Sequence, residues 1–171
     1  QPLNKWSNNL MTRMLLYSIA EHRYPAPVTR VQGREVLREH LAARGLDTSA
    51  LVVDNGSGLS RDSRVTARFM LSLLRLAWSE PTMPEFVASL SIAGRDGTTR
   101  RRFRGSEEAG RMHLKTGSLE KVSAISGYVH APDGRTYVVV MMLNYRGANW
   151  GIGTSIQNAL LAWTYRQGGS D

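Results

Sequence analysis

The 171-residue chain contains no cysteine, which excludes a disulfide framework and thiolate metal ligation. No stretch approaches the roughly 18 apolar residues that a membrane-spanning helix needs. Acidic residues are scarce: 14 Asp and Glu stand against 22 Lys and Arg, a net charge of +8. Such an excess attracts anionic partners, among them wall polymers, membrane surfaces and nucleic acid. Its distribution argues against nucleic acid, because the cations are scattered over helix faces, as at Arg34, Arg38 and Arg44, and form no stripe. Only Arg100-Arg101-Arg102-Phe103-Arg104 concentrates them, and that run reads as a solvated loop. His22, His40, His113 and His130 lack metal-ligand spacing and read as surface or packing residues; no metal or organic cofactor is expected. The remainder, 42% hydrophobic and 21% charged, is ordinary for one domain with its own core. No repeat or linker interrupts it.

One stretch organises the chemistry, Arg111-Met112-His113-Leu114-Lys115-Thr116-Gly117-Ser118. It reads as a strand ending in Lys115-Thr116-Gly117. A fixed ammonium, a hydroxyl donor and a residue without Cβ suit a ligand carboxylate on a strand end. The same tripeptide also reads as a polar strand end entering a turn. A second device, Trp6-Ser7-Asn8-Asn9, precedes Leu10, Met11, Met14, Leu15 and Ile19 at helical spacing. Taken alone, its Ser or Asn is equally an ordinary helix N-cap.

The expected order of elements is helices first and sheet second. Helices are predicted over about 8–22, 33–44 (Val36, Leu37 and Leu41 inward, Gly45 as cap) and 63–79, the last capped by Ser63 and striped by Val65, Phe69, Leu73 and Leu76. A short helix follows from Pro84, with Met83, Val87 and Leu90 inward. Asp54-Asn55-Gly56-Ser57-Gly58 is a turn by composition. Strands are predicted over 111–115, 122–130 and 137–144, with Pro132-Asp133-Gly134 turning the last hairpin. The run from Tyr137 to Leu143 does not alternate, so it should be covered on both faces. A final helix over 150–166 should turn Ile152, Ile156, Leu160 and Trp163 inward. This is an α+β layout.

With a Ser-x-Asn at a helix start and Lys-Thr-Gly on a strand about a hundred residues later, the chain resembles penicillin-binding proteins and serine β-lactamases. Two longer phrases, Leu51 to Arg61 and Leu114 to Val129, resemble more narrowly the low-molecular-mass class C penicillin-binding proteins. These are the D-alanyl-D-alanine carboxypeptidase/endopeptidases of peptidase family S13, the penicillin-binding protein 4 type. The resemblance runs from about Asn4 to Trp163. It implies the C-terminal part of a transpeptidase fold: a helical subdomain, an antiparallel three-strand sheet and a C-terminal packing helix. The family's Ser-x-x-Lys, carrying the acylated serine, has no counterpart before Ser7. Ser118-Leu119-Glu120-Lys121 has the spacing but no helix to bring its lysine alongside its serine. The expectation is therefore the C-terminal part of the catalytic domain, with the nucleophile on a segment absent from this sequence.

The resemblance also implies the roles. Ser7 would relay a proton to the leaving amine, Asn9 would hold the substrate amide, and Lys115 would bind the terminal carboxylate with Thr116 and Gly117. Ser118 would supply half of an oxyanion hole, and Ser60 and Arg61 could brace the Ser-x-Asn loop. The substrates would be peptidoglycan stem peptides, with β-lactams as inhibitors of the complete enzyme, in the bacterial periplasm or at the periphery of its inner membrane. Two alternatives remain: an inert module that holds peptidoglycan peptides, and a serine β-lactamase relative. The strand 137–144 is expected to be an exposed edge, paired in use with the missing N-terminal segment or with a second copy.

Overall fold

The computed structural model describes residues 2–167. Two compact units divide the chain, one made of the segment up to Ser7 with everything from Leu74 onward, the other of Asn8–Leu73. Helices come first and strands second, as expected: α1 (Pro2–Lys5), α2 (Asn9–Glu21), α3 (Arg30–Ala43), α4 (Ala67–Ser79), α5 (Met83–Ser89), β1 (Ser91–Ile92), a 3-10 turn (Gly97–Thr99), β2 (Met112–Leu119), β3 (Val122–His130), β4 (Thr136–Asn144) and α6 (Ile152–Arg166).

In the sheet unit the strands form one antiparallel sheet in the order β1-β2-β3-β4. The expected three-strand sheet thus gains a fourth, two-residue strand, too short to carry a periodic signal. β2 runs on through Lys115-Thr116-Gly117 to Leu119 rather than ending there, because its pairing with β3 continues to Leu119 opposite Val122. The predicted hairpin forms, with Arg135 N–H donating to Asp133 Oδ1 at 2.9 Å.

Both faces of the sheet are covered. Met112, Leu114, Ile125, Val129 and Val139 pack with Leu161 and Tyr165 of α6 on one side. Tyr128 packs with Leu74, Val87 and Leu90, backed by Val138 and Val140, on the other. Successive β4 residues therefore serve opposite layers, which is why Tyr137–Leu143 shows no alternation. Tyr128 is fully buried, and its hydroxyl donates to the Leu74 carbonyl at 2.7 Å. Gly127 permits the close β2–β3 contact: at φ +147°, a Cβ there would lie 2.0 Å from the His113 carbonyl oxygen.

Of the face assigned to the last helix, only Leu160 packs on the core. α6 buries Gly153, Gln157, Leu161, Thr164 and Tyr165, while Ile152, Ile156 and Trp163 are exposed. Arg102 is the reason for the polar choice. It is not solvated as expected of its run; it donates to Gln157 Oε1 at 3.0 Å, and Gln157 Nε2 donates to Ser123 Oγ at 2.9 Å. These bonds tie the polar side of α6 inward.

In the helical unit, α2 is capped by Asn8, whose Oδ1 accepts from Met11 N–H at 3.0 Å. Of its apolar residues, Leu16 and Ala20 are buried, whereas Leu10, Met11, Met14 and Leu15 are exposed. α3 begins at Arg30, earlier than expected, because Thr29 and Gln32 form a reciprocal capping box. Gly33 lets α3 meet α2 closely, since a Cβ there would lie 2.3 Å from the Leu16 carbonyl oxygen. Ser63 does not cap α4. Its hydroxyl accepts from Asp54 N–H at 3.3 Å, and Thr66 caps instead, accepting from Phe69 N–H at 3.0 Å. Among the described residues no helix is long and apolar enough to cross a membrane.

Candidate functional site

Ser7 joins α1 to the cap of α2 with φ at 52°. A left-handed serine costs free energy and persists only where its surroundings hold it. What holds it is the middle of β2. Lys115 Nζ donates to Ser7 Oγ at 2.5 Å and to the Thr116 carbonyl at 2.8 Å. The fold therefore joins residues 108 positions apart. Among the described residues Lys115 has no carboxylate partner, and burial lowers its pKa. A half-buried ammonium without an anion beside it is poorly compensated, and an anion placed there favours its charged form.

β1 covers β2 only at His113 and Leu114. From Lys115 to Leu119 that side of β2 has no strand partner among the described residues, so its backbone offers an edge to an extended peptide. Gly117 lies on this stretch. Nothing in the chain demands glycine there, for a Cβ would meet only Ala124 Cβ at 3.5 Å, ordinary contact.

Thr116 is engaged differently from the expectation. Its hydroxyl donates to Thr98 Oγ1 at 2.9 Å. Thr98 Oγ1 lies 3.2 Å from Ser91 Oγ, which donates to the Lys5 carbonyl at 3.1 Å. Lys5 Nζ also donates to the Leu90 carbonyl at 3.1 Å and pairs with Asp96. The 3-10 turn is thereby tied both to the segment before Ser7 and to β2. Nothing in the sequence pattern marked Lys5, Ser91, Asp96 or Thr98. The last two sit in an Asp-Gly turn, a composition signal without chemical content.

Below Lys115, His113 and His130 stack edge to face with centroids 5.4 Å apart. His113 Nδ1 shares a 3.0 Å bond with the Val87 carbonyl, and His130 Nδ1 one of equal length with Thr136 Oγ1. Burial lowers both pKa values.

Of the other residues singled out, Ser118 is exposed on β2 opposite Ser123. Ser118 and Lys121 do not share a helix, since Lys121 follows the strand at φ 64°. Asn9, Ser60 and Arg61 belong to the helical unit. Asn9 is half-buried in the first turn of α2, and Ser60 Oγ accepts from Asp62 N–H at 3.0 Å.

Residues 1–167 match the family described as D-Ala-D-Ala carboxypeptidase 3 (S13). Over 138 residues the chain is 41% identical to a D-alanyl-D-alanine carboxypeptidase of Actinomadura sp., an alignment covering 78% of this chain and 26% of that protein. Over 151 residues it is 30% identical to carboxypeptidase DacB of Mycolicibacterium smegmatis, covering 82% and 32% respectively. The chain thus spans a third or less of these relatives. Its fold matches penicillin binding protein 4 (dacB) from Haemophilus influenzae complexed with a β-lactam, at TM-score 0.85 and 23% identity, covering 96% of this chain and 40% of that one. A β-lactamase from Sphaerobacter thermophilus matches less closely, at TM-score 0.57 and 19% identity over 90% of this chain and 57% of that one.

Proposed function

The chain belongs to the D-Ala-D-Ala carboxypeptidase 3 (S13) family, and from that premise we propose that it carries the substrate-carboxylate and proton-relay part of a serine-type D-Ala-D-Ala carboxypeptidase/endopeptidase acting on peptidoglycan stem peptides. One observation carries this reading: the Lys115 ammonium, without a carboxylate partner among the described residues, rests on Ser7 Oγ at the head of an open strand edge. An extended peptide adds along Lys115–Leu119, and its terminal carboxylate pairs with the Lys115 ammonium.

In the proposed reaction a serine on a Ser-x-x-Lys segment outside these 171 residues attacks the D-Ala-D-Ala carbonyl. The Ser118 N–H donates to the developing oxyanion. The attacking serine's proton passes to the lysine of its own segment and on to Ser7, which gives its own proton to the departing amine nitrogen as the C–N bond breaks, leaving an acyl-enzyme that water hydrolyses. Lys115 lies within hydrogen-bonding distance of Ser7 and makes loss of its proton less costly. Asn9 holds the substrate amide, and Ser60 and Arg61 brace the loop that bears it. β-Lactams acylate the complete enzyme at the same serine. The proposal places the protein outside the inner membrane, in the periplasm, with its missing segment or a second copy paired along β4.

Two measurements test it. Incubation with a labelled penicillin should leave the intact mass of residues 1–171 unchanged, since no serine here has a helical Ser-x-x-Lys partner; an adduct would overturn the absent-nucleophile reading. Acetyl-D-Ala-D-Ala should bind reversibly, seen as amide shifts on β2, and Lys115→Ala should abolish the binding. Binding that survives Lys115→Ala would overturn the site. A second reading, an inert binding module, is favoured by Ser118 and Lys121 lying off any helix. It predicts the same binding, with no acylation even after a Ser-x-x-Lys segment is restored.

A further inference from the structure

Beside the carboxylate position lies a pair of residues that the reaction does not use. Trp6 precedes Ser7, is 57% exposed, and carries the Arg100 guanidinium 5.7 Å from its ring centroid. That separation lies within cation–π range. Arg100 follows Thr98 by two residues, and Thr98 accepts the Thr116 hydroxyl proton. Trp6 and Arg100 therefore flank the two motif residues, Ser7 from one segment and Thr116 through the other.

Both segments are held. Lys5, adjacent to Trp6, pairs with Asp96 and donates to the Leu90 carbonyl at 3.1 Å. Asp96 Oδ1 also accepts from Ile92 N–H at 2.7 Å, so its charge is already committed. Gly97 is packed so tightly that a Cβ would lie 2.4 Å from Ser91 Oγ. Arg100 makes one further bond, from Nη1 to the Gly97 carbonyl at 3.2 Å, and has no carboxylate partner among the described residues. An exposed guanidinium laid on an aromatic face, with one N–H on the Gly97 carbonyl and the others without a carboxylate partner among the described residues, can receive a carboxylate. The indole beside it offers a flat surface to a methylene stem.

We propose that Trp6 and Arg100 form a second anion subsite, taking the side-chain carboxylate of an acidic residue whose main-chain carboxylate lies on Lys115. This rests on the carboxylate reading of Lys115 given above. The side chain of a C-terminal residue leaves the same Cα that bears the main-chain carboxylate, so the two anions arrive on neighbouring sites. The subsite thus selects among leaving residues: it favours acidic ones carried on an apolar stem over alanine.

The test compares acetyl-D-Ala-D-Ala with acetyl-D-Ala-D-Glu, both titrated into residues 1–171 and followed by amide shifts. The D-Glu ligand should bind roughly fivefold more tightly, the upper range for an exposed pair with bidentate geometry. The advantage should shrink with added salt. Arg100→Gln should abolish it while leaving acetyl-D-Ala-D-Ala binding unchanged, and Trp6→Leu should reduce it. Equal affinities in the parent chain, or an advantage that survives Arg100→Gln, would overturn the subsite and leave the Lys115 site standing. Failure of both ligands to bind, or binding insensitive to Lys115→Ala, would instead overturn the carboxylate reading and the subsite with it.

Discussion

The two units use their apolar residues in opposite ways. In the sheet unit Met112, Leu114, Tyr128, Val129 and Leu161 are wholly buried, and both faces of the sheet are covered by the unit's own helices. In the helical unit α2 buries only Leu16 and Ala20 and leaves Leu10 70% exposed. A unit that completes its own layers holds its side chains to native tolerance. One that leaves apolar residues in water has less to resist local opening. Ser7, Lys115, Thr116 and Ser118, the residues of the proposed site, all belong to the self-sufficient unit.

Several substitutions would sharpen or break that contrast. The largest effect is expected for Gly127→Ala, because its Cβ would enter the His113 carbonyl and the backbone angle disfavours any side chain. It should cost more than about 4 kcal/mol, the range reserved for gross strain, and denaturant melts should show a largely unfolded sheet unit. Gly117→Ala is the counterpart on the neighbouring strand. It should leave the melt unchanged and weaken acetyl-D-Ala-D-Ala binding at least tenfold; a destabilised fold would show that the chain itself needs that glycine.

Next comes Leu114→Ala, expected to cost about 2–5 kcal/mol, against Leu10→Ala, expected within about 0.5 kcal/mol. Equal costs would erase the distinction between the units. A smaller change of opposite sign is expected at Thr99, which is fully buried with a hydroxyl that finds no partner among the described residues. Thr99→Val keeps the shape and removes the unpaired oxygen, so it should stabilise by up to about 1 kcal/mol in the same melts.

The gentlest test is pH. Burial holds His113 and His130 below their ordinary pKa, with Lys5 acting in the same direction and Asp96 against it at His113, and Arg111 reinforcing it at His130. The folded state therefore prefers neutral rings. Their contribution is fully present above about pH 6.5 and is lost as pH falls from there through the folded values. Melting temperature should drop across that window, and the double variant His113→Gln/His130→Gln should flatten the drop.

Much of this was legible beforehand, for identifiable reasons. β3 and β4 announced themselves by β-branched and aromatic runs around Pro132-Asp133-Gly134, and Ser7 and Lys115 by motif order. Helix faces were misread wherever a polar residue won the interior. On α6, Gln157 is inside because Arg102 and Ser123 satisfy it, and periodicity of apolar residues cannot register such a bargain. On α2, helical spacing gave the helix but not which of its apolar residues are buried: Leu16 and Ala20 are inside, while Leu10, Met11, Met14 and Leu15 are exposed. Thr98 carried no signal and Arg100 read only as part of a solvated basic run, because their contacts are to Thr116 and Trp6, distant in sequence.

The row of hydroxyls from Thr116 to Lys5 has a consequence of its own, which follows from counting protons. Each hydroxyl owns one. The Lys5 carbonyl can only accept, so the Ser91 proton is committed to it. Thr98 must then give its proton to Ser91, and Thr116 must give its own to Thr98. A ligand oxygen arriving at Thr116 cannot simply add a bond; it has to take a proton already in use. The exchange gains little for a neutral carbonyl, whose bond equals the one surrendered. For an ionised carboxylate, whose hydrogen bonds are about twice as strong, it is favourable. Lys115 has a third N–H to offer without any such trade. One residue of the pair therefore attracts acceptors in general, and the other, through its orientation, admits only those that carry charge.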